Sequence, residues 1–194
     1  MSVNESLKSY MESRRSRPVL QIGEPGPSRA EITEILSIAS RVPDHGKLAP
    51  WRFVVFRGSE RTRLSEELGA IAERRTPELS EESRKVEHTR LLRAPVVVML
   101  VSRAAPHVKI PQWEQLMSAG ACGMNLLIGA NALGYTGCWL TEWMAYDEEA
   151  AALLGVAPDE RIVGFFYIGT PTQPPFERDR PKLEDVVTWV GGDE

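Results

Sequence analysis

Apolar residues near the start of the chain recur at helical spacing. Val3, Leu7, Tyr10 and Met11 share one side, and Ser2 with Glu5 has the form of a capping box, so the spacing predicts a first helix to about Arg14. A proline- and glycine-rich stretch, RPVLQIGEPGPS, then interrupts any regular element. Ser28 and Glu31 announce a second helix with Ile32, Ile35, Leu36 and Ala39 on its apolar face, which Pro43 is expected to end. RFVVF (52–56) reads as a strand stopped by Gly58. Residues 59–93 are charged and helical in pattern, with a narrow apolar stripe of Leu64, Leu68 and Ile71 and a break near Pro77, as in a solvated helical hairpin. PVVVMLVS (95–102) is apolar throughout, as a central strand covered on both faces should be.

From Pro111 to Gly134 the pattern changes again. PQWEQLMSAGACGMNLLIGANALG stays apolar or small on every side, which predicts one long helix, buried all round and closed by Gly134. At 1.5 Å per residue it would be about 35 Å long, more than a small domain easily covers, and Ser118, Ala119, Gly120, Ala121 and Gly123 would admit a second backbone closely. A subunit interface is the expected cover. YTGCWLT (135–141) and IVGFFYIG (162–169) read as further strands, with a short helix around Asp147 to Leu154 between them. The tail from Thr170 carries Pro171, Pro174, Pro175 and Pro181 and a short apolar run, VVTWV, which must lie on this subunit or on a partner. Residues 1–194 are read as a single domain, with 172–194 as a C-terminal extension packing on a partner subunit.

Composition narrows the function classes. With 194 residues, 42% of them hydrophobic and 26% charged, the chain can bury a full core without staples. A net charge of −4 argues against a chain that neutralises many phosphates of a nucleic acid. No apolar run approaches the ~20 residues that span a bilayer and there is no N-terminal apolar leader, so a soluble, cytoplasmic protein is expected. Cys122 and Cys138 sit in apolar stretches and read as inert reduced thiols. His45, His88 and His107 are far apart and no Cys-x-x-Cys occurs, so no metal site is expected; nor is there a Gly-x-Ser-x-Gly elbow. The GANALG run (129–134) is superficially similar to a dinucleotide-binding turn but ends a helix instead of opening one.

Cationic clusters remain. Arg14, Arg15, Ser16 and Arg17 lie where the first helix gives way to loop, Arg178, Arg180 and Lys182 gather in the tail, and Arg41 and Lys47 flank the loop RVPDHGKLAPW (41–51). Guanidinium groups hold phosphate bidentately and hydroxyls add donors, so a phosphorylated ligand fits these residues, as does a merely solvated surface.

The combination of RRS after the first helix, RVPDHGKLAPWRFVVF, WEQLMSAGACGMNLLIGANALGYTGCW and IVGFFYIGTP resembles the nitroreductase family of FMN-dependent oxidoreductases, over about Ser6 to Pro171. It is closest to the compact branch whose loop carries Arg-x-Pro-Asp-His and then Pro-Trp. The resemblance implies an α+β fold, a mixed and mainly antiparallel sheet flanked by helices, in an intertwined homodimer with two FMN sites at the interface. It implies that Arg14 and Ser16 hold the FMN phosphate and that Arg15 lies beside the ribityl chain or pyrimidine. Pro43, Asp44 and His45, with Arg41 at their base, would reach the flavin from the second subunit. Trp139, Leu140 and Thr141 would pass it with their backbone, and Arg178 or Arg180 would add a phosphate contact. Lys47 and Ala49 depart from the commoner Asn and Gln of the family, and Pro18 from a commoner Lys or Arg.

The activity so implied is hydride transfer from NAD(P)H through flavin N5 to a small acceptor such as a nitroaromatic or quinone, in ping-pong fashion, with no obligatory protein acid or base. Reductive dehalogenation on the same scaffold, a flavin-sequestering dimer without NAD(P)H turnover, and a structural dimer without ligand are the alternatives the sequence leaves open.

Overall fold

The computed structural model describes residues 3–192 and divides the chain into two compact units, Ser16–Gln173 and a smaller one drawn from Met1–Arg15 and Pro174–Glu194. In the smaller unit, helix α1 (Glu5–Ser13) is capped by Asn4, whose side chain accepts from the Leu7 N–H at 3.1 Å. The predicted pairing of Ser2 with Glu5 lies outside the described residues. The tail holds one short helix, α7 (Leu183–Val186), and Trp189 and Val190 are almost fully exposed.

In the larger unit, a two-residue strand β1 (Ile22–Gly23) precedes helix α2 (Arg29–Ala39). The capping box is present: Ser28 Oγ accepts from the Glu31 N–H at 3.3 Å, and Glu31 Oε2 accepts from the Ser28 N–H at 2.8 Å. The helix stops at Ala39, four residues before Pro43. Ser40 Oγ and the Arg41 N–H take the carbonyls of Leu36 and Ile38, and Pro43 has no N–H to offer the Ala39 carbonyl, so the helix ends there.

Strand β2 (Trp51–Phe56) leads into α3 (Ser59–Arg75) and α4 (Glu81–Glu87), then strand β3 (Val96–Ser102). Helix α5 (Gln112–Ala132) follows, then β4 (Thr136–Leu140), α6 (Glu148–Leu153) and β5 (Arg161–Pro171). The open sheet runs β1-β5-β3-β2 with β4 also on β5, and each of these pairings is antiparallel. This is the mainly antiparallel sheet with flanking helices that the sequence implies.

The alternation of side chains along a strand divides the interior in two. Val96, Val98 and Leu100 of β3 join Phe166 and Ile168 of β5 against Ile32, Ile35, Cys122 and Leu126 from α2 and α5. Val97, Met99 and Val101 join Phe165 and Tyr167 against Leu64, Leu68 and Ile71 of α3, with Met144 and Ala150. Each fully buried aliphatic side chain contributes roughly 1.5–3 kcal/mol, so the wholly buried β3, shared by both cores, is the strand the fold can least lose. The edge strand β2 is tied across the unit by Arg52, which donates to Glu160 at 2.7 and 2.5 Å. That pairing is the chief reason the Glu160 carboxyl is pulled down to about 2.

Helix α5 packs along α2. At Gly129 a Cβ would stand 3.2 Å from the Ile35 carbonyl and 3.3 Å from Ile38, so glycine sets how closely the two helices approach. The helix ends in a Schellman arrangement at Gly134 (φ 85°), with the Tyr135 N–H on the Ala130 carbonyl and the Gly134 N–H on that of Asn131, both at 2.9 Å. Its first half is not buried all round. Trp113 is 67% and Met117 50% exposed in the single chain. No helix among the described residues is long and apolar enough to cross a membrane.

Over the charged hairpin, the His88 ring sits where a Cβ on Gly69 would collide with it at 2.4 Å, and its two nitrogens face Glu66 (2.7 Å) and Glu73 (3.2 Å). The Glu66 hydrogen bond, helped by Glu73 and opposed by partial burial, raises the His88 pKa. A raised folded-state pKa stabilises most below the unfolded value and is lost as pH rises through the folded one. Wild type is therefore expected to exceed His88→Gln by about 1 kcal/mol below about pH 6.5, with the difference shrinking as pH rises above that value and the raised folded-state pKa is passed. Urea unfolding of both proteins across that range measures it, and a constant gap would refute the ionic clamp.

Candidate functional site

The predicted residues fall into three places. In the smaller unit, Arg14 caps α1, its N–H on the Tyr10 carbonyl at 2.8 Å. Next to it, Arg15 is fixed by its Nε, which donates to the Phe176 carbonyl at 2.9 Å, and its side chain is only 8% exposed. Arg15 Nη1 forms an ion pair with Glu177 Oε1 at 2.8 Å, a carboxylate that is itself 73% exposed. A buried guanidinium whose counter-ion is an exposed carboxylate suits an anionic ligand that can take that place. The Arg178 N–H, with the charges of Arg15 and Arg180, holds the Glu177 carboxyl below its ordinary value. Arg178 and Arg180 themselves are exposed, as is Ser16, the first residue of the larger unit.

The second place is the loop 41–51. Asp44 folds it: Oδ1 accepts from the Leu48 N–H at 3.1 Å and Oδ2 from the Ala49 N–H at 2.8 Å. These bonds hold three departures from ordinary backbone within four residues, Gly46 (φ 72°), Lys47 (φ 55°) and Ala49 (φ 45°). Asp44 thus fixes the loop. His45 points outward, 63% exposed, with Nδ1 2.8 Å from Glu114 Oε2. The exposed Arg41 offers its carbonyl to Asn125 Nδ2 at 2.9 Å, and the Pro43 carbonyl accepts from Ser118 Oγ at 2.7 Å.

The third place is the end of β4. The Trp139 ring turns inward, donating from Nε1 to the Val163 carbonyl at 3.1 Å and standing 5.0 Å from Phe166 at 35°. A Cβ at Gly164 would strike that ring at 2.1 Å and one at Gly123 would touch it at 3.1 Å, so two glycines make its berth. Trp139 therefore has only backbone to offer a ligand. Leu140 packs into the opposite core, and Thr141 is half-buried.

Immediately beyond, Glu142 adopts φ 58°, ψ 172° with a side chain 10% exposed. Its carboxylate takes Arg93 and, at 3.2 Å, Arg90; Arg93 also donates to Tyr167 Oη at 2.8 Å. Arg90 in turn holds Glu87, which accepts from Trp143 Nε1 at 2.8 Å. Burial pushes Glu87 upward, but Arg90, Trp143 and the charge of Arg93 outweigh it, and its carboxyl stays below the usual range.

Helix α5 brings the second and third places together. Glu114 meets His45, Ser118 meets Pro43, Gly123 receives Trp139 and Asn125 meets Arg41, four successive sites on one helix. A groove of about 380 Å³ opens beside its first turns, lined by Pro43, His45, Trp113, Glu114 and Met117. Two larger grooves, of about 600 and 620 Å³, contain none of the predicted residues, and the second is bordered by Glu87 and Trp143. The thiols take no part: burial pushes Cys122 to about 12 and raises Cys138 as well.

Sequence reasoning missed Glu114, Asn125 and the group around Glu142. Glu114, Ser118 and Asn125 are polar interruptions of an apolar helix, a signal that was there to be read. Glu142, Arg90 and Arg93 carry none, since about fifty residues separate the carboxylate from its partners.

A sequence profile of the Nitroreductase family matches residues 23–170. The Escherichia coli (strain K12) protein named "Putative NAD(P)H nitroreductase YdjA" is 33% identical over 157 residues, covering 80% of this chain and 84% of that protein. A nitroreductase-like family protein from Bacillus cereus superposes with a TM-score of 0.81 at 20% identity, covering 99% of this chain and 100% of the other. The FMN and NADPH-dependent nitroreductase NfnB from Sphigopyxis sp. strain HMH gives 0.67 at 20% identity, covering 98% and 100%. The profile covers the sheet, α2, α5 and the loop that α5 holds; the chain belongs to the nitroreductase family.

Proposed function

We propose that this protein is an FMN-dependent oxidoreductase of the cytoplasm, a homodimer that uses NAD(P)H to reduce a small acceptor such as a nitroaromatic or quinone. Family membership supports the reaction class, and the FMN and NADPH dependence of NfnB, a protein of like fold, supports the cofactor. The observation that carries the reading is Arg15: its side chain is nine-tenths buried, Nε is held by the Phe176 carbonyl, and Nη1 is paired only with the exposed carboxylate of Glu177, which an anionic ligand can replace.

When bound, FMN supplies two-electron chemistry between nicotinamide and acceptor. The residues supply position. Arg14 and Ser16 hold the phosphate end, where Arg178 or Arg180 adds charge, and Arg15 lies beside the ribityl chain or the pyrimidine. The backbone of Trp139, Leu140 and Thr141 lies along the ring, and Pro43, Asp44 and His45, with Arg41, come from the second subunit. The exposed apolar side of α5, with Trp113 and Met117, supports a second copy as its cover, and residues 172–194 pack on that copy. Asp44, spent on two backbone N–H groups, acts by shaping the loop, and His45 is the side chain free to approach a ligand. Cations near the ring's pyrimidine edge favour its reduced, more negative state, so Arg15 raises the driving force for reduction as well as the affinity.

Protein reconstituted with FMN is expected to be yellow and to bleach on anaerobic titration with NADH or NADPH. Protein that takes up no FMN refutes the reading, and protein that stays yellow with both nucleotides makes it a flavin carrier. Arg15→Gln is expected to raise the FMN dissociation constant by about tenfold or more, the loss of a charged hydrogen bond, measured by flavin fluorescence. His45→Ala should weaken FMN by about threefold while moving the melting temperature little, because exposed pairs such as His45–Glu114 contribute only about 0–1 kcal/mol. An unchanged FMN affinity in that variant removes His45 from the site.

A further inference from the structure

We propose that Glu142 is a positioning residue: its carboxylate, clamped by Arg90 and Arg93, holds the end of β4 in a backbone shape that glycine otherwise supplies, and thereby orients the peptide groups of residues 140–142 toward the ligand. This rests on the FMN reading, which places that strand end along the ring. The backbone of Glu142, φ 58° and ψ 172°, borders the region populated almost only by glycine, where a side chain strains the chain. Such a conformation persists only when its surroundings over-determine it. Here they do so through the side chain itself, 10% exposed, with Arg93 on one oxygen and Arg90 on the other, both arginines only 16% exposed.

The arginines are fixed in their turn. Arg93 Nη2 donates to Tyr167 Oη at 2.8 Å and its guanidinium lies 4.8 Å over the Tyr167 ring, and Tyr167 is wholly buried on the central strand β5. Arg90 is locked by Glu87, which Trp143 also holds. The clamp therefore grips the chain on both sides of the peptide: β4 is paired to β5 up to Leu140, and Trp143 opens the turn Trp143–Ala145, whose last N–H returns to the Glu142 carbonyl at 3.2 Å. Between these anchors, the φ and ψ of Glu142 set the planes of the two peptide groups that meet at it, and so where the Glu142 N–H points.

A merely structural ion-pair group and a positioning clamp differ in what glycine does. Both Glu142→Ala and Glu142→Gly abolish the ion pairs, but only glycine keeps free access to the native backbone shape. Hydrogen exchange of the segment 139–145 in the FMN-free protein, the FMN dissociation constant and the midpoint potential of the bound flavin are to be measured for wild type and both variants. In Glu142→Ala the segment should exchange faster, FMN bind about tenfold more weakly and the potential shift, while Glu142→Gly returns each towards wild type. If alanine and glycine behave alike in all three, the proposal is overturned. Should both variants fail to fold, Glu142→Gln, which keeps an acceptor oxygen at the same reach, replaces them: faster exchange coupled to weaker FMN binding and a moved potential supports positioning, and lower thermal stability with unchanged flavin properties overturns it. Wild type that binds no FMN overturns the flavin reading and this role with it, and the exchange difference between alanine and glycine then identifies the flavin reading, not the clamp, as the point of failure.

Discussion

The packing of α5 between α2 and the sheet is the constraint from which the rest of the larger unit follows. Glycine at 129 admits the backbone of α2, glycine at 123 admits the rings of Trp139 and Phe166, and the apolar residues between them close one core. A helix seated this tightly cannot slide or rotate, because a shift of one residue would drive a side chain into a neighbouring backbone. Its polar residues can then work as fixed rungs. Ser118 and Asn125 fasten the carbonyls of Pro43 and Arg41, so a loop of unusual backbone inherits its place from a buried helix.

Among the described residues, two segments keep non-glycine residues at positive φ, and they are stabilised by different means. Around Lys47 and Ala49 a single half-buried carboxylate, Asp44, accepts the Leu48 and Ala49 N–H groups. At Glu142 the restraint is a buried charge network, in which desolvation of each ion opposes the attraction between them. Such a network adds little net stability when intact but is costly to break, which suits a device that specifies one geometry.

Much of the fold was legible in the sequence because the deciding interactions are local. The Ser28–Glu31 box, the Gly134 terminus, the unbroken apolar run of β3 and the narrow stripe of α3 each declare themselves within a turn or two of chain. The stop of α2 at Ala39 was legible too, since Pro43 excludes a helical bond to the carbonyl four residues before it. The apolar surface of α5 was legible as well, but composition does not show whether its own chain or another covers it. In the candidate site, the residue types were legible and their division of labour was not. That Asp44 shapes the loop, that the Trp139 ring fills a core, and that Glu142 answers to Arg90 and Arg93 are facts of pairing between distant segments, which no spacing encodes.

The two cysteines lie on opposite sides of the sheet, Cys122 in the core under α5 and Cys138 in the core under α3. With the sheet between them they cannot approach the Cα separation that a disulfide requires. Oxidants therefore find no internal bridge to form in the folded chain, and thiol cross-linking, when it does occur, must join molecules whose layers have already parted.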